Sequence, residues 1–178
     1  MPISDLTKIR TALTALIGLP LAAAYRTVDM RVFHFGTMRP AAPSRIPSLK
    51  NRPRGSVGDY ALHVQCPWRF ETENEILTGR SDLWEPITQS DDFSYDEWDY
   101  EKDGNLQDFR ISALLASNDL VVQSVNVKSN GHFVLFIGQQ LQLTVFPSGS
   151  LGEDWRFFKP GRNESHLVVS GGKLELDN

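Results

Sequence analysis

The sequence predicts an α+β fold: two helix-plus-four-strand repeats forming one antiparallel sheet system, curved or barrel-like, with both helices packed against it. Three observations predict it. Residues 60–66 alternate at the strand period, with Tyr60, Leu62, Val64 and Cys66 on one face and His63 and Gln65 on the other. Two apolar stripes at helical spacing stand far apart in the chain: Leu6, Ile9, Leu13, Leu16 and Ile17, then Leu106, Ile111, Leu114 and Leu115. Third, one order of features occurs twice: alternating strand, proline, Trp-Arg-Phe, polar run, strand, glycine turn. It runs from Tyr60 through Pro67 and Trp68-Arg69-Phe70 to Gly79, and from Leu141 through Pro147 and Trp155-Arg156-Phe157 to Gly171. The expectation is a single domain of two half-repeats, about 5–83 and 105–175, joined by an acidic, aromatic linker.

In chain order, Ser4 or Asp5 is placed to cap the first helix, and Gly18 and Pro20 to stop it. Residues 21–28 and 30–35 follow as strands, the second with Val32 and His34 on one face. Residues 37–58 differ in kind. They hold Pro40, Pro43, Pro47 and Pro53 with Arg39, Arg45, Lys50, Arg52 and Arg54, and no acid lies between Asp29 and Asp59. This is a long basic loop, either a mobile insertion or a contact surface for an acidic partner. Pro67 lacks a ladder donor and ends the 60–66 strand. Residues 76–79 form the next strand.

The linker, 83–103, interleaves Asp91, Asp92, Asp96, Glu97, Asp99, Glu101 and Asp103 with Phe93, Tyr95, Trp98 and Tyr100. A solvated linker rarely carries four aromatics, so part of it should pack on the body, its acids opposing the basic loop. Asn105 with Asp108 three residues on is a near capping box for the second helix, and Asn118 is placed to end it. Strands at 120–127 and 132–137 flank Lys128-Ser-Asn-Gly131, a hairpin signal.

The chain has 178 residues, 40 % of them apolar, enough for a core. A net charge of −4 argues against a general nucleic-acid surface. One cysteine excludes an intramolecular disulfide and a cysteine-rich zinc site. Residues 1–5 carry no basic region before an apolar core, and no apolar run approaches membrane-spanning length. A cytoplasmic location with no membrane partner is expected. There is no phosphate loop, dinucleotide fingerprint or Gly-x-Ser-x-Gly elbow. Asp99-x-Glu101-x-Asp103-Gly104 starts like a calcium loop, but its twelfth position is Arg110, where a carboxylate is needed. His34, His63, His132 and His166 are scattered singly, so neither metal nor cofactor is expected.

Cys66 and His63 stand three apart on a strand and point to opposite faces. The thiol therefore belongs to the core, and no catalytic residue is assigned. Trp68-Arg69 and Trp155-Arg156 fit core tryptophans whose arginines bond a carboxylate, Asp82 or Glu153. They also fit two anchors at a pocket or interface. The candidate binding residues are His63, Gln65 and Arg69, lining a cleft between the repeats; Arg156; and Asp96, Glu97, Trp98 and Asp99 of the linker.

The runs Gly58-Asp-Tyr-Ala-Leu-His-Val-Gln-Cys-Pro-Trp-Arg-Phe70, Ile76-Leu-Thr-Gly-Arg-Ser-Asp-Leu83 and Glu153-Asp-Trp-Arg-Phe-Phe158 resemble a group of bacterial proteins of unknown function. The resemblance covers most of the chain outside the basic loop and part of the linker. It implies a bacterial source and supplies no activity, cofactor or catalytic residue. The expected function is non-enzymatic, through a protein partner. Immunity proteins that neutralise toxins offer an analogy of size and charge alone. The alternative is a small-molecule-binding protein or hydrolase using the inter-repeat cleft. A deep pocket with His63 beside a carboxylate would favour the alternative, and a filled interior the partner.

Overall fold

A computed structural model describes residues 1–43, 55–116 and 119–177. Most of the basic loop, 44–54, and Asn118 lie outside the described residues. Helix α1 (Ile3–Thr14) leads to β1 (Leu21–Thr27), β2 (Met30–Phe35), a short ribbon of β3 (Arg39–Pro40) and β4 (Ser56–Val57), then β5 (Tyr60–Val64), β6 (Trp68–Glu71) and β7 (Ile76–Gly79). A 3-10 turn (Arg80–Trp84) opens the linker. Helix α2 (Leu106–Leu115) precedes β8 (Val122–Val127), β9 (Phe133–Ile137), β10 (Leu141–Val145), β11 (Glu153–Phe158), β12 (His166–Ser170) and β13 (Lys173–Asp177).

The class is α+β with antiparallel sheets, but the strands do not form one curved or barrel-like sheet. They form a six-stranded sheet, β1-β2-β5-β11-β12-β13, and a five-stranded sheet, β7-β6-β10-β9-β8, and neither closes. The reason lies at two crossings. After β5, the N–H groups of Gln65 and Cys66 both donate to Asp154 O (2.8 and 3.0 Å), and Pro67 has no N–H to continue the ladder. The chain leaves the sheet there, and β5 ends two residues before the alternation does. After β10, Phe146 N donates to Pro67 O (3.0 Å), and Pro147 stops that strand too. Each sheet thus mixes strands from before and after the linker.

The pairings at the two seams are specific. In the six-stranded sheet Val64 faces Trp155, His63 faces Arg156 and Leu62 faces Phe157. In the five-stranded sheet Val145 faces Trp68, Thr144 faces Arg69 and Leu143 faces Phe70. A bulge shifts the register between Leu21 and Ala23 on β1 and between Val122 and Ser124 on β8. Gly36 and Gly138 close β2 and β9 at positive φ (83° and 56°). Their N–H groups bond Pro20 O and Val121 O (2.9 and 2.8 Å).

Inward faces of both sheets meet in one core. Phe33 of one sheet packs edge-on against Trp68 of the other (5.4 Å), and Phe133 against Trp155 (5.1 Å). Each such ring contributes on the order of 2–3 kcal/mol by burial. Helix α1 buries Ile9 and Leu13 and lies on β8, while α2 lies on β1 and β7. The start of α1 differs from expectation: Pro2 is its N-cap without a side-chain bond, and Ser4 and Asp5 sit inside the first turn. Because α1 ends at Thr14, Leu16 is buried and Ile17 exposed beyond it. The α2 cap is as the sequence predicts, Asp108 N donating to Asn105 Oδ1 (2.8 Å). Among the described residues, no helix is long and apolar enough to cross a membrane.

Candidate functional site

Because Leu62, Val64, Trp155 and Phe157 are committed to the core, alternation sends His63 and Arg156 to the outer face of the six-stranded sheet. A register row there runs Tyr25, Val32, His63, Arg156, Val168. The next row holds His34, Ala61 and Phe158. The rings meet: His63 edge-on to Phe158 (4.8 Å), Tyr25 to His34 (5.4 Å), and His166 stacked on Phe158 (4.2 Å). The β3–β4 ribbon and Pro160-Gly161 border this face, forming a groove of about 570 Å³ lined by Tyr25, Val32, His34, Val57, His63 and Phe158 among others.

Beside the groove, Glu153 grips Arg156 with both oxygens, at 2.7 Å to Nε and 2.5 Å to Nη2. Arg156 Nη1 lies 3.2 Å from His166 Nδ1, which accepts since guanidinium only donates. The bond to Arg156 holds the Glu153 carboxyl below its usual range despite burial, and the Gln65 side chain adds to it. Burial, then the Arg156 charge, lowers the His63 pKa to about 4. His34 Nδ1 accepts the Gly58 N–H (3.2 Å), so the neutral ring carries its proton on Nε2. Burial lowers its pKa as well.

This arrangement is suited to binding more than to proton transfer. An imidazole with a pKa near 4 is a feeble base at neutral pH. The buried Cys66 thiol is pushed up to about 12 by burial and then by Asp154, so it stays protonated and unreactive. Among the described residues, no three histidine, cysteine, aspartate or glutamate side chains are placed to hold a metal ion.

The structure brings His63, Gln65 and Arg156 together and separates Arg69 from them. At Pro67 the chain changes sheets, so Arg69 lies on the outside of the other sheet, bonded to Glu71 (2.7 Å). Glu71 also accepts the Thr144 hydroxyl (2.6 Å). Arg156 takes Glu153, one of the two carboxylates named for the Trp-Arg pairs; Asp82 instead meets Arg110 (3.3 Å). The space between the sheets is filled by core side chains, so the groove lies outside them and not between two repeats. Tyr25, His34, Phe158 and His166 escape sequence reasoning as site residues. Their only signal is an outward position on alternating strands, and nothing local says which strands adjoin.

The linker is a second candidate surface. Leu106 N donates to Glu85 O (2.8 Å), Trp98 Nε1 to Gly104 O (3.2 Å) and Asn105 Nδ2 to Tyr100 O (3.1 Å). Phe93 and Tyr95 meet edge-on (4.8 Å) with Trp98 beside them, and Trp84 meets Tyr100 (4.9 Å). Asp96 and Glu97 are exposed and directly follow Tyr95, itself 55 % exposed, whereas Trp84, 50 % exposed, belongs to the separate pair with Tyr100. Asp99 is spent locally, accepting Glu101 N (2.9 Å) and pairing with Lys102 (3.0 Å). Glu101 reaches Arg26 of β1 (3.7 Å). No family model, curated protein or solved structure matches this chain.

Proposed function

We propose that this chain is a non-enzymatic binding protein that acts through a protein partner docked on the linker. One observation carries the reading. The linker is ordered by its own rings and backbone bonds and tied to β1 through Arg26, and it presents exposed Asp91, Asp92, Asp96 and Glu97 in the same turns as half-exposed Tyr95. An aromatic anchor flanked by charge has the composition of an interface hot spot, and a surface ordered beforehand loses less entropy on binding. The acids select a basic partner and repel nucleic acid. The test replaces Asp92, Asp96 and Glu97 by lysine, sparing Asp99, which holds the linker backbone. Cross-linked complexes from a bacterial lysate are compared between wild type and variant at low and high salt. A basic partner retained by wild type, salt-sensitive and at least about tenfold depleted with the variant, is the expected result. The same partners in both, or turnover of an ester, phosphoester or peptide at an enzymatic rate, counts against it.

We also propose that the halves on either side of the linker are diverged copies of one unit. Support comes from the seams, where Trp68 and Trp155 face Val145 and Val64 in like positions, and from the bulges of β1 and β8. In the same alignment Arg31, whose guanidinium lies 5.8 Å over the Trp68 ring, corresponds to Phe133, 5.1 Å from Trp155.

A further inference from the structure

The groove on the six-stranded sheet has two ends of different chemistry. The inner end is built of rings and apolar side chains: Tyr25, Met30, Val32, His34, His63 and Phe158. A second cavity, of about 260 Å³, is lined by Arg39 and Arg162 and shares Ala42, Val57, Pro160 and Gly161 with the groove. The two thus adjoin at a shared wall of the ribbon and Pro160-Gly161. Arg39 is fixed there by donating to Pro160 O (2.9 Å). Among the described residues, no aspartate or glutamate lines either cavity, although the chain as a whole carries −4. Glu153 is turned away into its pair with Arg156.

We infer that the groove and the cavity adjoining it together bind an anionic aromatic small molecule, its ring against Tyr25, His63 and Phe158 and its carboxylate or phosphate toward Arg39 and Arg162. The volume suits such a ligand, which needs a few hundred Å³. Rings stack offset or edge-on against the ring floor, and two guanidinium groups recognise an oxyanion by paired N–H donors. The polar contribution at the ring end is small and neutral: the Nε2–H of His34 and the hydroxyls of Tyr25, Thr27 and Ser56. A cationic ligand finds no carboxylate there to offset its desolvation. This site is separate from the linker surface, and either can fail without the other.

The experiment titrates the full-length, isotope-labelled chain with 2-naphthoate, naphthyl phosphate, neutral 2-naphthamide and acetate, following backbone amides by NMR. Saturable shifts centred on Tyr25, His34, His63 and Phe158 are expected with one of the two ring anions. The amide and acetate should bind at least about tenfold more weakly. Which ring anion binds more tightly distinguishes carboxylate from phosphate. Arg162→Glu, at an exposed position, should weaken the ring anion about tenfold and leave the amide unchanged. Ser56→Trp should fill the groove and abolish binding. If that variant unfolds, Arg162→Glu decides alone. Equal binding of anion and amide, shifts centred elsewhere, or no saturable shift up to about 10 mM, the weak limit for such fragments, would overturn the site.

Discussion

His63 faces outward but sits under neighbouring rings, and its pKa of about 4 lies below the ordinary 6.5. Folding therefore favours the neutral ring. The stability tied to this group is complete above pH 6.5, falls as pH drops through that value toward 4, and is flat below. Burial gives His34 the same sign, so the two are separated by difference. Urea denaturation of wild type and His63→Gln should show a stability gap that narrows steadily from pH 7 to pH 4. A gap independent of pH would contradict the buried neutral ring. Cys66 behaves oppositely: with its thiol pKa raised from 9.0 to about 12, the fold loses stability as pH climbs through 9 toward 12, where the unfolded thiol is ionised and the folded one is not. The sequence reading of Cys66 as a core residue follows from alternation alone, since Leu62 and Val64 fix which face is buried.

At the scale of elements, α2 is tied to the body by one carboxylate. Asp108 accepts from Arg31 Nη2 (2.6 Å), Arg26 Nε (3.1 Å) and Asn105 Nδ2 (2.8 Å), while its backbone N–H completes the cap. Gln107 accepts from the same Arg31 and donates to Gly79 O (2.9 Å), joining α2 to β2 and to the end of β7. Arg31 is 2 % exposed, and burial lowers its pKa even though Asp108 opposes the shift. Removing Asp108 leaves a buried guanidinium without its counter-charge. Asp108→Ala should cost on the order of 3 kcal/mol in chemical denaturation, as breaking one side of a buried pair does. Asn105→Ala, which removes the cap and the amide's bonds to Asp108 and Tyr100 O but keeps the Arg31 pair, should cost about 1–2 kcal/mol. Equal costs would show that the Arg31 pair adds nothing beyond the cap.

On the scale of the molecule, both sheets are sewn from the two sides of the linker, β5 to β11 in one and β10 to β6 in the other. Helix α1 lies on β8 and α2 on β1, so the helices cross over as well. Neither half can bury Trp68 or Trp155 without the other: Phe33 and Trp68 stand before the linker on different sheets, and β10 completes the sheet of Trp68. A chain cut between Gln89 and Asp92 should therefore give two fragments that are unfolded alone and recover the native circular dichroism when mixed. Exposed linker positions tolerate such a break best. Cooperative folding of either fragment by itself would rule out the interlocked core.

Sequence by itself determined the local elements of this protein. Alternation around His63, the stripe of α2 and the Asn105 cap are short-range signals, because side-chain direction repeats every two or 3.6 residues and a cap spans one turn. For the same reason His63 and Arg156 could be placed on the polar sides of their strands. Tertiary structure alone decided which sheet each strand joined. Pro67 and Pro147 mark where strands end, but the sheet the chain enters next depends on pairing with residues some eighty to ninety positions away, Asp154 O for one and Pro67 O for the other. That choice sent Arg69 and Arg156 to different outer faces. It also gathered Tyr25, His34, His63 and Phe158 from four strands into one groove and filled the space where a cleft between repeats was expected. Such contacts are fixed by burial of the whole core at once, and no local pattern encodes them.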